Sequence, residues 1–158
     1  MELPDSTIAA ESSPIGTSEP TTTVIASTVS PPEIPDDLAA FGISTVTVGG
    51  ETWLVAVADT SDERSDGLRG IENLGDVDGM LFVYDEEVTN TFTMRDVTLP
   101  LEIGFFDANG SLVDTQEMAP CLTEECQSYA AASPFGWAIE TLPGGIFGLP
   151  LGTELIVD

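Results

Sequence analysis

The sequence predicts an all-β domain, a mainly antiparallel β-sandwich or jelly-roll-like barrel with one or two short helices. Three observations carry that expectation. Short apolar runs recur from residue 43 to the C-terminus, split by turn residues at roughly 8–12-residue spacing. Two of the breaks, Gly49-Gly50 and Asp107-Ala108-Asn109-Gly110, are hairpin signals, because these residues tolerate the backbone angles of tight turns. One stretch has a clear helix-start signature: Thr60 with Glu63 three residues on, the reciprocal pairing of a capping box.

The elements follow in order. Residues 43–48 alternate as a strand, and residues 52–58 return from the Gly-Gly turn carrying Trp53. A short helix starts after Thr60 and ends near Gly67, and residues 70–78 form a loop. Residues 80–84 are continuously apolar and suit a buried strand. Asp85-Glu86-Glu87 read as an acidic turn, and residues 88–94 as the next strand. Pro100 opens the strand over 101–106, since proline has no N–H for a ladder and is tolerated at a strand's first residue. The turn at 107–110 feeds residues 111–118, and a loop over 119–133 holds both cysteines. Residues 135–142 and 153–157 are the last strands, with the Pro143-Gly144-Gly145 turn and a short irregular piece between them.

Residues 1–37 read differently. Pro, Ser, Thr, Glu and small apolar residues dominate with no strand or helix period, and such a composition buries too little to offset the entropy of ordering. A disordered acidic Ser/Thr/Pro-rich linker over residues 1–37 is expected, followed by a single β-domain over 38–158. The segment lacks the basic start and continuous apolar run of a signal peptide. A spacer of this kind suits an extracytoplasmic domain tethered to the membrane by a segment further upstream. A cytoplasmic protein with a tail is the alternative.

Charge and composition exclude several function classes. The chain has 28 acids, three arginines, no lysine and no histidine, for a net charge of −25. Nucleic acid is excluded as a partner, because phosphate contacts need cations that this chain lacks. Without histidine, no Ser-His-Asp or Cys-His arrangement and no His-ligated zinc can form. Any general acid or base would be Asp, Glu, Tyr or Cys.

Few residues remain that could carry chemistry. Arg95 follows Phe92 and Met94, which alternate toward one face, so Arg95 points to the other face or into a barrel mouth. Its planar fork of donors can grip a carboxylate or sugar, with Asp96 and Glu102 nearby, or it can form a structural ion pair. Arg69 is an exposed loop candidate, whereas Arg64 stands beside Glu63 and near Asp66 and reads as structural. Cys121 and Cys126 are too few for a zinc site and wrongly spaced for Cys-x-x-Cys redox chemistry, so a loop-stapling disulfide is the better reading. Such a bridge implies an oxidising compartment. Glu102, Asp107 and Asp114 could be read as glycosidase carboxylates, and Asp107-x-Asn109-Gly110 as part of a calcium loop, but both patterns are incomplete. No catalytic residue, metal or cofactor is assigned.

Over residues 52–157 the sequence resembles a known family. The carriers are Ala58-Asp59-Thr60 with Glu63-Arg64 and Gly67-Leu68; Gly79-Met80-Leu81-Phe82-Val83; Phe92-x-Met94-Arg95; Pro100-Leu101-Glu102-Ile103 with Phe105 and Asp107-x-x-Gly110; Met118-x-Pro120-Cys121 with Cys126; and Glu140-x-Leu142-Pro143-x-Gly145. Their order and spacing resemble the domain of unknown function 192, also called uncharacterised protein family 0127. The resemblance implies a compact, mainly antiparallel β fold that is often exported behind a signal peptide or lipid anchor. It implies no established activity. The sequence departs from the family at Thr93, where an aromatic is usual, at Asp96, where Asn is usual, and at Arg69 and Ile71, where the family often has Met-x-Arg.

The resulting expectation is an exported or surface-tethered, monomeric and non-enzymatic module that binds a small molecule, glycan or partner protein. The alternative is a carboxylate-dependent hydrolase or lyase of cell-surface polymers. One physical property follows from charge alone. Of the 28 acids, seven fall within residues 1–37, so self-repulsion acts on the remainder as well. Salt screens such repulsion over a length of about 10 Å at 0.1 M. The melting temperature at neutral pH is therefore expected to rise with sodium chloride, and calorimetry giving a flat response would show the charges to be well dispersed.

Overall fold

The computed structural model describes residues 30–157, and the folded unit begins at Glu33. Most of the expected linker, residues 1–29, lies outside the described residues. The stretch after it packs: the Glu33 N–H donates to Asp76 Oδ2 at 2.7 Å, and Asp76 N–H donates back to the Glu33 carbonyl at 2.8 Å. One helical turn, α1 (Asp36–Ala39), then buries Leu38 completely.

The fold is mostly β, a curled seven-stranded sheet with two short helices and a two-stranded ribbon. Its strands are β1 (Gly42–Val48), β2 (Glu51–Ala58), β3 (Gly79–Val88), β4 (Thr91–Thr93), β5 (Leu101–Phe106), β6 (Leu112–Met118), β7 (Ser128–Ala130), β8 (Phe135–Thr141) and β9 (Leu155–Val157). The large sheet runs β6-β5-β8-β3-β2-β1-β9, and β4 pairs with β7. Every pairing is antiparallel except β2 with β3.

Local chemistry accounts for the elements. β1 and β2 are joined by Gly49 and Gly50, with φ of 58° and 88°, a two-residue turn that two L side chains would strain. A parallel pair needs a long crossover, and residues 59–78 supply it between β2 and β3. That crossover opens with α2 (Ser61–Asp66), whose capping box is complete: Thr60 Oγ1 accepts from Glu63 N–H and Glu63 Oε1 accepts from Thr60 N–H, both at 3.2 Å.

The sheet is covered on both faces. Side chains alternate along each strand, so every central strand feeds two cores. On one face Ala56, Met80, Phe82, Ile103, Phe105 and Phe135 meet Leu68 and Leu74 of the crossover and Phe92 and Tyr129 of the ribbon. On the other, Val55, Leu81, Phe106 and Ile139 meet Ile146 and Leu155 from the C-terminal segment. All six residues of β5 are buried as a result.

Three expectations need correction. Asp85-Glu86-Glu87 do not turn the chain but continue β3, which bulges between Val83 and Val88 against β8. The bulge lets these exposed acids reach solvent from within a strand, and Glu87 Oε2 accepts from the Ala108 N–H at 2.8 Å. The strand expected over 88–94 is only Thr91–Thr93. The loop expected over 119–133 contains β7, because Ala132 N–H donates to Asp114 Oδ2 and the Ala130 carbonyl accepts from Gln116 Nε2, holding that segment to β6. The disulfide between Cys121 and Cys126 is present in this connection.

Gly104 tests how tightly the second face is packed. A Cβ there would lie 2.5 Å from Ile146 Cγ1 and 3.2 Å from Leu112 Cδ1. Gly104→Ala is expected to destabilise the domain by about 1–3 kcal/mol by overpacking. Denaturant unfolding would measure this, and an unchanged midpoint would mean that the 143–152 segment is loosely seated.

Candidate functional site

The crossover does not lie flat on the sheet. Between α2, the turn after it, β3 and β4 it leaves a cavity of about 340 Å³. Phe82, Phe92, Leu68 and Val97 supply its apolar wall, and Arg64, Arg69, Tyr84, Asn90 and Glu140 supply its chemistry.

Arg64 is placed by main-chain acceptors. Its Nη1 donates to the Asp59 carbonyl at 2.9 Å and to the Val83 carbonyl at 2.8 Å, and its guanidinium sits over the Tyr84 ring at 4.9 Å. The expected pairing with Glu63 or Asp66 is replaced. Glu63 spends its carboxylate on the Asp59 and Thr60 N–H groups, and those hydrogen bonds, that from Asp59 first, hold its pKa below the usual range. Tyr84 packs edge-on against Phe135, and burial raises its pKa above the ordinary phenol value, with the nearby Arg64 charge opposing.

Glu140 is the unusual member. Strand alternation along β8 turns it to the same face as Ala138, toward the first core. It is 4% exposed. Among the described residues no hydrogen bond reaches its carboxyl, and burial alone pushes its pKa up to about 8. Burial thus favours the protonated form at neutral pH, and in that form the carboxyl can donate one hydrogen bond into the cavity. Glu102, buried on the opposite face, is the contrast: its two oxygens accept from Gly144 N–H at 3.0 Å and Phe147 N–H at 2.9 Å.

The residues singled out in the sequence do not converge. Arg69 lines the cavity. Arg95 is exposed, and its Nη2 donates to the Glu124 carbonyl at 2.6 Å, so it braces the disulfide loop. Asp96 sits at the junction of two loops with φ of 61°, its N–H donating to the Cys121 carbonyl and its carbonyl accepting from Gly70 N–H. Glu102 latches the 143–152 segment. Asp107 Oδ1 accepts from Asn109 and Ser111 N–H groups in the hairpin turn, and Asp114 holds the β7 connection. The carboxylates of Glu102, Asp107 and Asp114 each have a structural partner, whereas Asp96 is held through its main chain. Among the described residues, no group of three or more His, Cys, Asp or Glu could hold a metal ion.

Glu140, Tyr84 and Asn90 are not among the site candidates of the sequence, where Glu140 figures only as a carrier of the family resemblance, and Arg64 is read there as structural. A signal for Glu140 existed: it lies within the apolar strand residues 135–142, where a residue on either face is buried. No comparable signal marks Asn90.

Comparison with known proteins fits this picture. The model of a family described as DUF192, Uncharacterized ACR, matches residues 44–154. A protein of unknown function from Novosphingobium aromaticivorans is similar in structure, with a TM-score of 0.65, 25% identity, and 82% of this chain and 95% of that chain covered. So is a protein from Sinorhizobium meliloti proposed to be a transcription regulator, with a TM-score of 0.63, 23% identity, and 74% and 95% covered; that likeness is one of fold. No match was found among curated proteins.

The burial of Glu140 predicts a pH effect of definite sign. Its carboxyl titrates at about 8 in the fold, against an ordinary value of 4.5. Between those values the folded state holds a proton that the unfolded chain has lost, so stability falls as pH rises from about 4.5 to about 8 and is level beyond, a loss on the order of 5 kcal/mol. Other acids also respond to pH, so the comparison is with Glu140→Gln. The two proteins should melt alike near pH 5, and the variant should melt higher near pH 8.5. Parallel melting profiles across this range would mean that Glu140 is hydrated or paired.

Proposed function

The chain belongs to the uncharacterised family DUF192, and from that premise we propose that the domain is a non-enzymatic binding module which holds a small, oxygen-rich molecule in the cavity beneath α2. The observation that carries this reading is Glu140. A buried polar group without a protein partner costs free energy, about 1–3 kcal/mol, and a ligand hydrogen bond at this carboxyl would recover that cost. The setting agrees. The cavity has the size range of small-molecule sites, an apolar wall, and convergent polar groups from several elements.

Display outside the cytoplasm is part of the proposal. The Cys121–Cys126 disulfide supports an oxidising compartment, and the Ser/Thr/Pro-rich sequence of residues 1–37 suits a tether to a surface. Among the described residues, no helix is long and apolar enough to cross a membrane.

Glu140→Leu separates a binding role from a structural one. An apolar side chain of similar size removes the unpartnered carboxyl, so the free variant is expected to melt at or above the parent at neutral pH. The parent is expected to show a thermal shift with monosaccharides or sugar acids, and the variant to lose it. A strongly destabilised Glu140→Leu would show instead that the carboxyl holds the fold together, and the binding reading would fall.

A further inference from the structure

We propose that the ligand is a small hydroxylated organic anion of the sugar-acid type, its carboxylate held between Arg64 and Arg69 and its hydroxyl groups met by Glu140 and Asn90. This rests on the cavity being the binding site. The first argument is charge placement. The chain has three arginines against 28 acids, and two of the three line this cavity. Both hydrogen bonds of Arg64 are made by Nη1, so among the described residues its Nη2 and Nε donors have no protein acceptor. These are the donors of a guanidinium fork that grips a carboxylate.

The second argument is the donor balance. A protonated Glu140 gives an O–H, Asn90 gives an amide N–H, and the two arginines only donate, against the single acceptor-only carboxylate of Asp66 at the exposed side. A site with this excess of donors fits a ligand rich in acceptors. A cationic ligand would meet two like charges at the arginines. Shape gives the third argument. Phe82 and Phe92 offer an apolar wall for a ring face, while hydroxyls of Ser61, Ser65 and Thr91 can exchange hydrogen bonds with ligand hydroxyls.

Binding of an anion is then coupled to the proton on Glu140. The charged and titratable groups that line the cavity with it are Arg64 and Asp66 of α2, Arg69 of the following turn, and Tyr84 of β3; β4 contributes none. Burial keeps Tyr84 neutral and the arginines stay charged, so loss of the Glu140 proton removes a donor and adds repulsion.

The test is an amide NMR titration of the full chain with D-glucuronate, and with D-glucose as the neutral match. Glucuronate is expected to shift the amides of residues 64–69 and 90–93 saturably in the millimolar range or tighter, with glucose at least about tenfold weaker. Arg69 is exposed, so Arg69→Gln should leave the fold intact and weaken glucuronate about tenfold. Raising the pH from about 6 to about 9 should also weaken it in the parent, and not in Glu140→Gln. Equal affinity for glucose and glucuronate would overturn the anion while leaving the cavity as the site. Shifts with neither sugar, or shifts remote from the cavity, would overturn the inference outright. The melting behaviour of Glu140→Leu judges the cavity independently.

Discussion

Burial of the central strands on both faces is the constraint on which the rest of this structure depends. β3, β5 and β8 lie side by side, and their alternating side chains enter two separate cores. Over Gly79–Phe82 of β3 and along β5 and β8 almost no face is left for solvent, so a polar side chain there must find a partner inside the protein. Two glutamates occupy such positions, and they have opposite fates. Glu102 is satisfied by two main-chain N–H groups, and in being satisfied it fixes the segment that covers the second core. Glu140 sits on the other face with no such segment above it, only the cavity. The same constraint therefore makes one carboxylate a structural latch and leaves the other available for chemistry.

The cavity itself follows from the parallel pairing of β2 with β3. An antiparallel neighbour could be reached by a tight turn, as β1 reaches β2, but a parallel one demands a crossover. That crossover carries α2 and the apolar residues Leu68, Ile71, Leu74 and Val77 across the first core. The capping box fixes where α2 begins, and Arg64, in its last turn, bonds to carbonyls at the end of β2 and within β3. One arginine thus pins the roof of the cavity to its wall and still presents unused donors to the space between. The ribbon of β4 and β7 closes the far side, and the disulfide and Arg95 brace the loop that leads from β6 into β7.

Much of this architecture was legible in the sequence, because it is written in short-range chemistry. Gly49-Gly50, Thr60 with Glu63, and Asp107 with Gly110 each act within four residues, and each does what its spacing implies. Asp85-Glu86-Glu87 misled for a physical reason: three adjacent acids resemble a turn, yet a bulged strand can expose all of them. The candidate site was far less legible. Its members come from residues 61–69, 82–97 and 140, and what brings them together is a crossover whose path no local pattern states. Arg95 drew attention because it stands in a distinctive motif, but rarity of charge does not reveal which surface a side chain lands on. The informative clue was an acid within an apolar strand, a violation of pattern rather than a match to one.

So acidic a protein looks poorly suited to hold an anion, and the resolution lies in the range of the forces. The summed negative charge acts at a distance and is screened within about 8 Å at physiological ionic strength. Inside a concave, partly apolar site, contact interactions are screened much less, and there the local inventory decides. Two guanidinium groups line that space against one exposed carboxylate, Asp66, and the second carboxyl, Glu140, is held toward its neutral form by the double burial of β8. The sheet architecture thus removes a negative charge at the very place where arginines gather, and the cavity becomes a local exception to the sign of the whole surface.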